Sequence, residues 1–191
     1  MINLALDFIA KNIEPYLEQQ QPVGTEPYIQ LGNVSALGTG SDSEMQNKII
    51  VSVVNIEEDR ISRSPDNYVR IDQQVIYKNP PVYLNLDILF AANYKHYDTS
   101  LRLISNVIKF FQYKNVFTPL NSPGLPPGIE ELIFDLKTLS WQDLNNLWGI
   151  LGSKYIPSVV YKMRLISILD DVNQGLAQPV MEIKVNDKTT N

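Results

Sequence analysis

His96 is the only histidine of the chain and lies in Tyr94-Lys-His-Tyr-Asp, between a strand-like and a helix-like segment. A lone imidazole cannot build a multi-histidine metal site, and no serine elbow or carboxylate pair is placed to use it as a base. Glu57-Glu58-Asp59 could gather a divalent cation, but consecutive loop residues point in different directions and lack calcium-loop spacing. Gly38-Thr-Gly-Ser-Asp-Ser has the glycines of a phosphate cradle without the Gly-Lys-Ser/Thr ending or the dinucleotide spacing. Asp170-Asp171 is a carboxylate pair only on paper, because neighbours on a strand face opposite sides of a sheet.

The aromatic residues are the better lead. Trp141 and Trp148, seven apart, share a helix side with Leu144, which suits a core or an interface more than a substrate platform. Tyr155 and Tyr161, among ten tyrosines in an acidic chain, suit amphipathic contact area at a protein interface. The residues therefore favour a binding or assembly protein over an enzyme, with no catalytic residue, metal ligand or cofactor site assigned. A small-molecule enzyme of an unrecognised fold is the rival reading, and its sign would be a deep pocket holding a carboxylate or His96 with a perturbed pKa.

The elements that would position these residues follow from periodicity. Ile2, Leu6, Ile9, Ile13 and Leu17 mark one face of an opening helix, widened by Leu4, Ala5 and Phe8 toward more than one neighbour. Residues 19–27 turn polar and proline-bearing, and residues 28–37 hold a short strand before the glycine-rich loop. Lys48 to Ile56 reads as a strand, Glu57 to Asn67 as a charged loop, and Tyr68 to Tyr77 as the returning strand of a long hairpin. Val82 to Asn93 is so apolar that it should lie at the centre of the sheet. Asp98 is placed to cap a helix with Leu101, Ile104, Ile108 and Phe111 on one face and Leu103, Val107 and Phe110 beside it.

Beyond a loop at 115–128, Phe117 falls in a short extended piece and Ile129 to Leu136 in a further one. Ser140 and Asp143 then form a capping box before Leu144, Leu147, Trp148 and Leu151, so a helix starts near Trp141. Gly152 supplies the left-handed C-cap, Pro157 bars a restart, and a β-branched run opens at Ser158 and reaches Asp170. A last strand-like run, Pro179-Val-Met-Glu-Ile-Lys-Val, sits in a separate C-terminal piece, 179–191, after a principal domain of 1–178. The fold class expected is α+β: a mixed, mainly antiparallel sheet with a long hairpin, flanked by about three helices.

Length, charge and composition narrow the partners. The 191 residues suit one domain, and 44% hydrophobic with 19% charged residues is ordinary for a globular chain. There are no cysteines, which removes disulfides and thiolate chemistry and fits a reducing compartment. A net charge of -5 argues against a general nucleic-acid surface and against attraction to anionic membranes. The opening Met1 to Pro15 has no basic leader and does not read as a secretory signal.

Three blocks carry a family likeness: Pro80-Pro81-Val82-Tyr83-Leu84-Asn85-Leu86-Asp87-Ile88-Leu89-Phe90-Ala91-Ala92, then Leu103 to Gln112, then Leu144 to Lys162, reading LNNLWGILGSKYIPSVVYK. Together they resemble the cap, or tail-terminator, proteins of phage-tail-like contractile injection systems. The likeness runs from the first helix to the strand ending at Asp170, and its signature positions are Pro81, Leu84, Leu86, Phe111, Trp148, Gly152, Tyr155, Pro157 and Tyr161.

The resemblance implies a structural protein that forms a ring, expected to be hexameric, on the distal end of a tube and sheath, stops their growth and stabilises the extended particle. It implies tube and sheath proteins as partners, no nucleic acid, no direct membrane binding, and assembly in the cytoplasm into a particle that can leave the cell. A ring of six would carry roughly -30 formal charges and oppose passage of DNA. A phage neck or tail-completion connector shares the ring logic and is the alternative of the same class. Candidate partner contacts are Arg60 and Arg63 at a hairpin tip, Tyr68 and Tyr77 on its edge, and Val180, Glu182, Ile183 and Val185 in the last strand.

Overall fold

The computed structural model describes residues 1–20, 27–37, 45–59, 68–71, 74–77, 82–168 and 176–177, with the backbone alone at 68–71, 74–77, 165–168 and 176–177. Nine strands and three α-helices follow in the order α1 (Ile2–Gln20), β1 (Ile29–Leu31), β2 (Lys48–Glu58), β3 (Tyr68–Ile71), β4 (Gln74–Tyr77), β5 (Val82–Asn93) and α2 (Tyr97–Tyr113), continuing with β6 (Val116–Phe117), β7 (Leu132–Lys137), α3 (Trp141–Leu151), β8 (Ser158–Ile168) and β9 (Leu176–Ala177) among the described residues. The expected α+β class, with its mainly antiparallel sheet and three helices, is the fold observed.

A six-stranded sheet in the order β1-β2-β5-β8-β7-β6 forms the frame, and β3, β4 and β9 make a separate three-stranded sheet. Among the described residues only the β1–β2 pair is parallel. β5 occupies the interior, as its apolarity implied, with β2 and β8 antiparallel on its two sides. The hairpin is differently composed from the expected one. β2 pairs with β5, Lys48 opposite Asn93, while 68–77 folds on itself as the β3–β4 hairpin, Tyr68 opposite Tyr77. The physical reason is burial. β2 and β5 can both fill a two-sided core, and loop-closure cost rises only slowly with the length of the chain between them.

Strand alternation gives the sheet two different faces. Ile49, Val51, Leu86, Ile88, Phe90, Tyr161, Met163, Leu132 and Phe134 point to one face and join the buried residues of α1 and α2 in the larger core. There α1 buries Ala5, Leu6, Phe8, Ile9, Ile13 and Leu17, and α2 buries Leu103, Ile104, Val107, Phe110 and Phe111. Each such side chain removed from water is worth about 1.5–3 kcal/mol. Phe111 lies 4.6 Å from Phe134 and 4.4 Å from Tyr161 by ring centroid, and Phe90 stands edge-on to both Phe111 and Tyr161. Leu4 and Leu101, expected within the apolar stripes, are each 44% exposed, so both stripes are narrower than they read.

The opposite face takes α3. Ile50, Leu89, Ala91 and Val160 pack there with Trp148, and Leu144, Leu147 and Leu151 flank it. α2 departs from expectation at its start. His96 holds the N-cap position with no side-chain cap bond, and Asp98 lies inside the first turn, where it pairs with Arg102 at 3.0 Å. A carboxylate there still favours the positive end of the helix.

Candidate assembly interface

The segment from Ser140 to Tyr161 is the best-specified surface of the chain, and its local chemistry explains why. Asp143 N donates to Ser140 Oγ at 3.1 Å, and Ser140 N donates to the Asp143 carboxylate at 3.4 Å, closing the capping box. At the other end Gly152 has φ 65°, the left-handed conformation that costs a residue with a Cβ. Trp148 is buried against the sheet, and Tyr155, half-exposed, meets it edge-on at 5.5 Å. The Ser153 hydroxyl donates to Val34 O at 2.8 Å, and the carbonyl of the buried Pro157 accepts from Ala92 N at 2.9 Å. These contacts pin the turn between α3 and β8 to the sheet.

The other signature positions are structural too. Leu86, Phe111 and Tyr161 are buried in the larger core, Leu84 packs against it, and Pro81 lies outside the described residues. Burial pushes the Tyr161 hydroxyl up to about 12. Of the two places expected for Trp141, core or interface, the structure excludes the core. Trp141 shares an azimuth with Trp148 but stands at the first helical position, past the supported part of α3, and is 88% exposed.

Beyond the footprint of α3 the same sheet face turns charged. Asp87, buried in mid-sheet, accepts from Lys137 Nζ at 2.7 Å and from Asn55 at 3.1 Å. Lys162 pairs with Glu57 at 3.0 Å and Arg164 with Asp135 at 2.5 Å. Glu57 and Glu58 therefore belong to the end of β2 rather than to a loop, and the first is held by cross-strand pairing. Sequence reading missed this row. Its signal was an aspartate at the centre of an otherwise apolar strand.

A cleft of 690 Å³ is lined by Leu37, Asn47, Lys95, Ser153, Lys154 and Ile156, among others. Among the described residues its lining includes neither a carboxylate nor His96. Tyr94 borders it, but burial holds its hydroxyl above the ordinary phenol range, so it is neutral at any ordinary pH. His96 itself is exposed. Among the described residues no group of acidic or histidine side chains is placed to hold a metal ion, and no helix is long and apolar enough to cross a membrane.

Of the candidate partner contacts, Tyr68 and Tyr77 are brought directly opposite one another across the β3–β4 hairpin. Arg60, Arg63, Val180, Glu182, Ile183 and Val185 lie outside the described residues, as do the glycine-rich loop and Asp170-Asp171.

A six-stranded sheet with helices packed on both faces is the framework that positions the buried signature residues. The chain matches the sheath/tube terminator, in its extended state, of the extracellular contractile injection system PVC, with a TM-score of 0.55 and 16% identity, covering 96% of this chain and 64% of that one. It matches the tube-terminating cap of the anti-feeding prophage with a TM-score of 0.60 and 12% identity, covering 96% of this chain and 59% of that one. At these identities the likeness is one of fold, and the chain spans less than two thirds of either structure. It belongs to the Pvc16 N-terminal domain family, which it matches over residues 8–182. No curated protein matches it.

Proposed function

We propose that this chain is a structural cap of a contractile injection system, forming a ring on the distal end of the tube and sheath and ending their polymerisation. The observation that carries this reading is the match of 96% of the chain to both a sheath/tube terminator and a tube-terminating cap. Stacked rings polymerise because each upper face complements the next lower face. A terminator fits the last ring below and offers a non-matching surface above. Neither step requires catalysis.

Within a ring each subunit uses two different patches in a heterologous contact that closes at a fixed rotation, six subunits being the number we propose. Arg60 and Arg63 are proposed to meet acidic tube or sheath surface. Tyr68, Tyr77 and the run containing Val180, Glu182, Ile183 and Val185 are proposed as strand edges for exchange with the sheath. Residues 1–178 would form the cap domain and 179–191 its exchanging tail. Assembly in the cytoplasm into a released particle follows from the same reading.

Negative-stain imaging of particles assembled with and without this chain tests it. Loss of the chain should yield tubes and sheaths of uncontrolled length; particles of normal length and integrity would falsify the terminator role. Deletion of residues 179–191, or charge reversal at Arg60 and Arg63, should weaken sheath attachment, and unchanged attachment removes those contacts.

A further inference from the structure

Two turns far apart in sequence line the 690 Å³ cleft, and each brings one lysine. One side is the turn before β2 together with the end of β5. There Asn47 N donates to Asn93 O at 2.8 Å, the Asn93 side-chain amide donates to Met45 O at 3.0 Å, and Lys95 follows. The other side is the turn between α3 and β8, pinned through Ser153 to Val34 O, and it carries Lys154. Both lysines are exposed, and neither forms an ion pair among the described residues. Lys137, Lys162 and Arg164 on the sheet differ, each meeting a carboxylate within 3.0 Å. Like charges gathered on held turns repel one another, and carboxylates brought between them reverse the sign of that term.

The complement stands elsewhere on the same chain. Glu130 and Glu131 directly precede β7, and neither carboxylate has an ion-pair partner among the described residues. Their loop is held in place: Leu125 N donates to Ser122 O at 3.1 Å, Ile129 N donates to Pro126 O at 3.2 Å, and both Ser122 and Ile129 are buried. Neighbours at a strand start diverge, which suits lysines on two sides of a cleft better than it suits one shared ion. The register keeps the two patches apart. The cleft lies ahead of the start of β8 at Ser158, whereas Ile133, two residues after Glu131, is opposite Arg164. From Ser158 to Arg164 the strand advances about 20 Å, so the glutamates of a chain do not reach its own cleft.

We infer that the cleft holding Lys95 and Lys154 on one copy of this chain receives Glu130 and Glu131 of a second copy. Charge and topology select this occupant together. The cleft is complementary to carboxylates, the chain presents two neighbouring ones without ion pairs among the described residues, and the patches stand toward different ends of β8, as a head-to-tail contact requires. An isologous dimer would need a patch that complements itself. Neither patch does, because lysine repels lysine and glutamate repels glutamate. The inference rests on the ring reading above and names both of the patches that each subunit would use.

The test is charge reversal in the full chain, followed by sedimentation velocity and by incorporation into particles. Lys95→Glu with Lys154→Glu, and separately Glu130→Lys with Glu131→Lys, should each weaken self-association by about tenfold or more. Circular dichroism and thermal unfolding should stay at wild-type values, since no ion pair among the described residues is broken. Mixing the two double variants, or combining all four changes in one chain, restores opposite charges across the contact and should recover association. Double variants that associate like wild type, or a folded fourfold variant that does not recover, overturn the inference. Reversed-cleft protein that self-associates normally but no longer enters particles overturns it too, because the cleft then serves an acidic tube or sheath surface. Where wild type associates only within particles, incorporation is the readout and the same outcomes decide. Wild-type chain that neither self-associates nor enters particles defeats the ring reading itself, whereas rings that persist in both double variants defeat only this contact.

Discussion

Glu14 of α1 holds the entry to β1 through its carboxylate, which accepts from Tyr28 N at 2.5 Å and, with its other oxygen, from Ile29 N at 3.0 Å. Among the described residues β1 is an edge strand, paired only with β2 in the six-stranded sheet. The helix thus supplies acceptors where no further described strand does, one of the ways proteins blunt an open edge.

Glu14→Ala should destabilise the fold by about 1–3 kcal/mol in urea unfolding, because it orphans two amides of buried residues. Burial raises the pKa of this carboxyl above 4.5, although the two amides pull it down. A raised value means that the native state holds the proton more tightly than the unfolded chain. The contribution is then fully present below 4.5 and is lost as pH rises through the folded value. Wild type should lose stability relative to Glu14→Gln as pH climbs from about 4 to about 7, and a gap in urea midpoint that stays constant over that range removes the claim.

Lys137→Met should cost about 1–3 kcal/mol, since among the described residues it leaves the Asp87 carboxylate in mid-sheet with only Asn55 as a partner. Adding Asp87→Asn to that variant should recover part of the loss, because the uncompensated charge is then gone. Equal stability of single and double variants in a thermodynamic cycle contradicts this account. The exposed Arg102–Asp98 pair, 3.0 Å apart on α2, should contribute under about 1 kcal/mol.

Phe111→Ala should be the most damaging single change among those considered, at about 3–5 kcal/mol by denaturant titration. Its ring touches Phe134, Tyr161, Phe90 and Phe110, so truncation opens a void on α2 and on three strands at once. A loss below about 1 kcal/mol would mean that the surrounding rings collapse into the space.

The two ends of α3 can be probed separately. Ser140→Ala should cost about 1 kcal/mol through the lost cap, and Gly152→Ala about 1–2 kcal/mol through the left-handed backbone. Gly149→Ala should run the other way and stabilise the isolated chain by about 0.5–1 kcal/mol, because nothing surrounds the added methyl. Thermal unfolding in which all three changes destabilise contradicts the open space at Gly149.

Much of this architecture was legible in local pattern. The Ser140–Asp143 box, the Gly152 cap, the β8 start after Pro157 and the interior place of β5 depend on residues within a few positions of one another, and all stand in the structure. Helix starts read from a single polar residue fared less well. Asp98 suggested a cap, yet the helix begins at Tyr97 with no side-chain cap at all, because packing of Leu103, Val107 and Phe110 sets the extent of α2. The azimuth of Trp141 was readable, whereas its exposure was not, since that depends on where the supporting sheet ends.

The chain by itself determined its helices, its strand-forming runs and the absence of cysteine chemistry, because backbone preference and side-chain periodicity act over one or two turns. Tertiary structure alone decided that β2 pairs with β5 across the 59–81 insertion, that Glu14 reaches β1, and that Asp87 finds Lys137. Those choices compare the free energies of whole arrangements, in which the burial of one strand depends on every element packed against it.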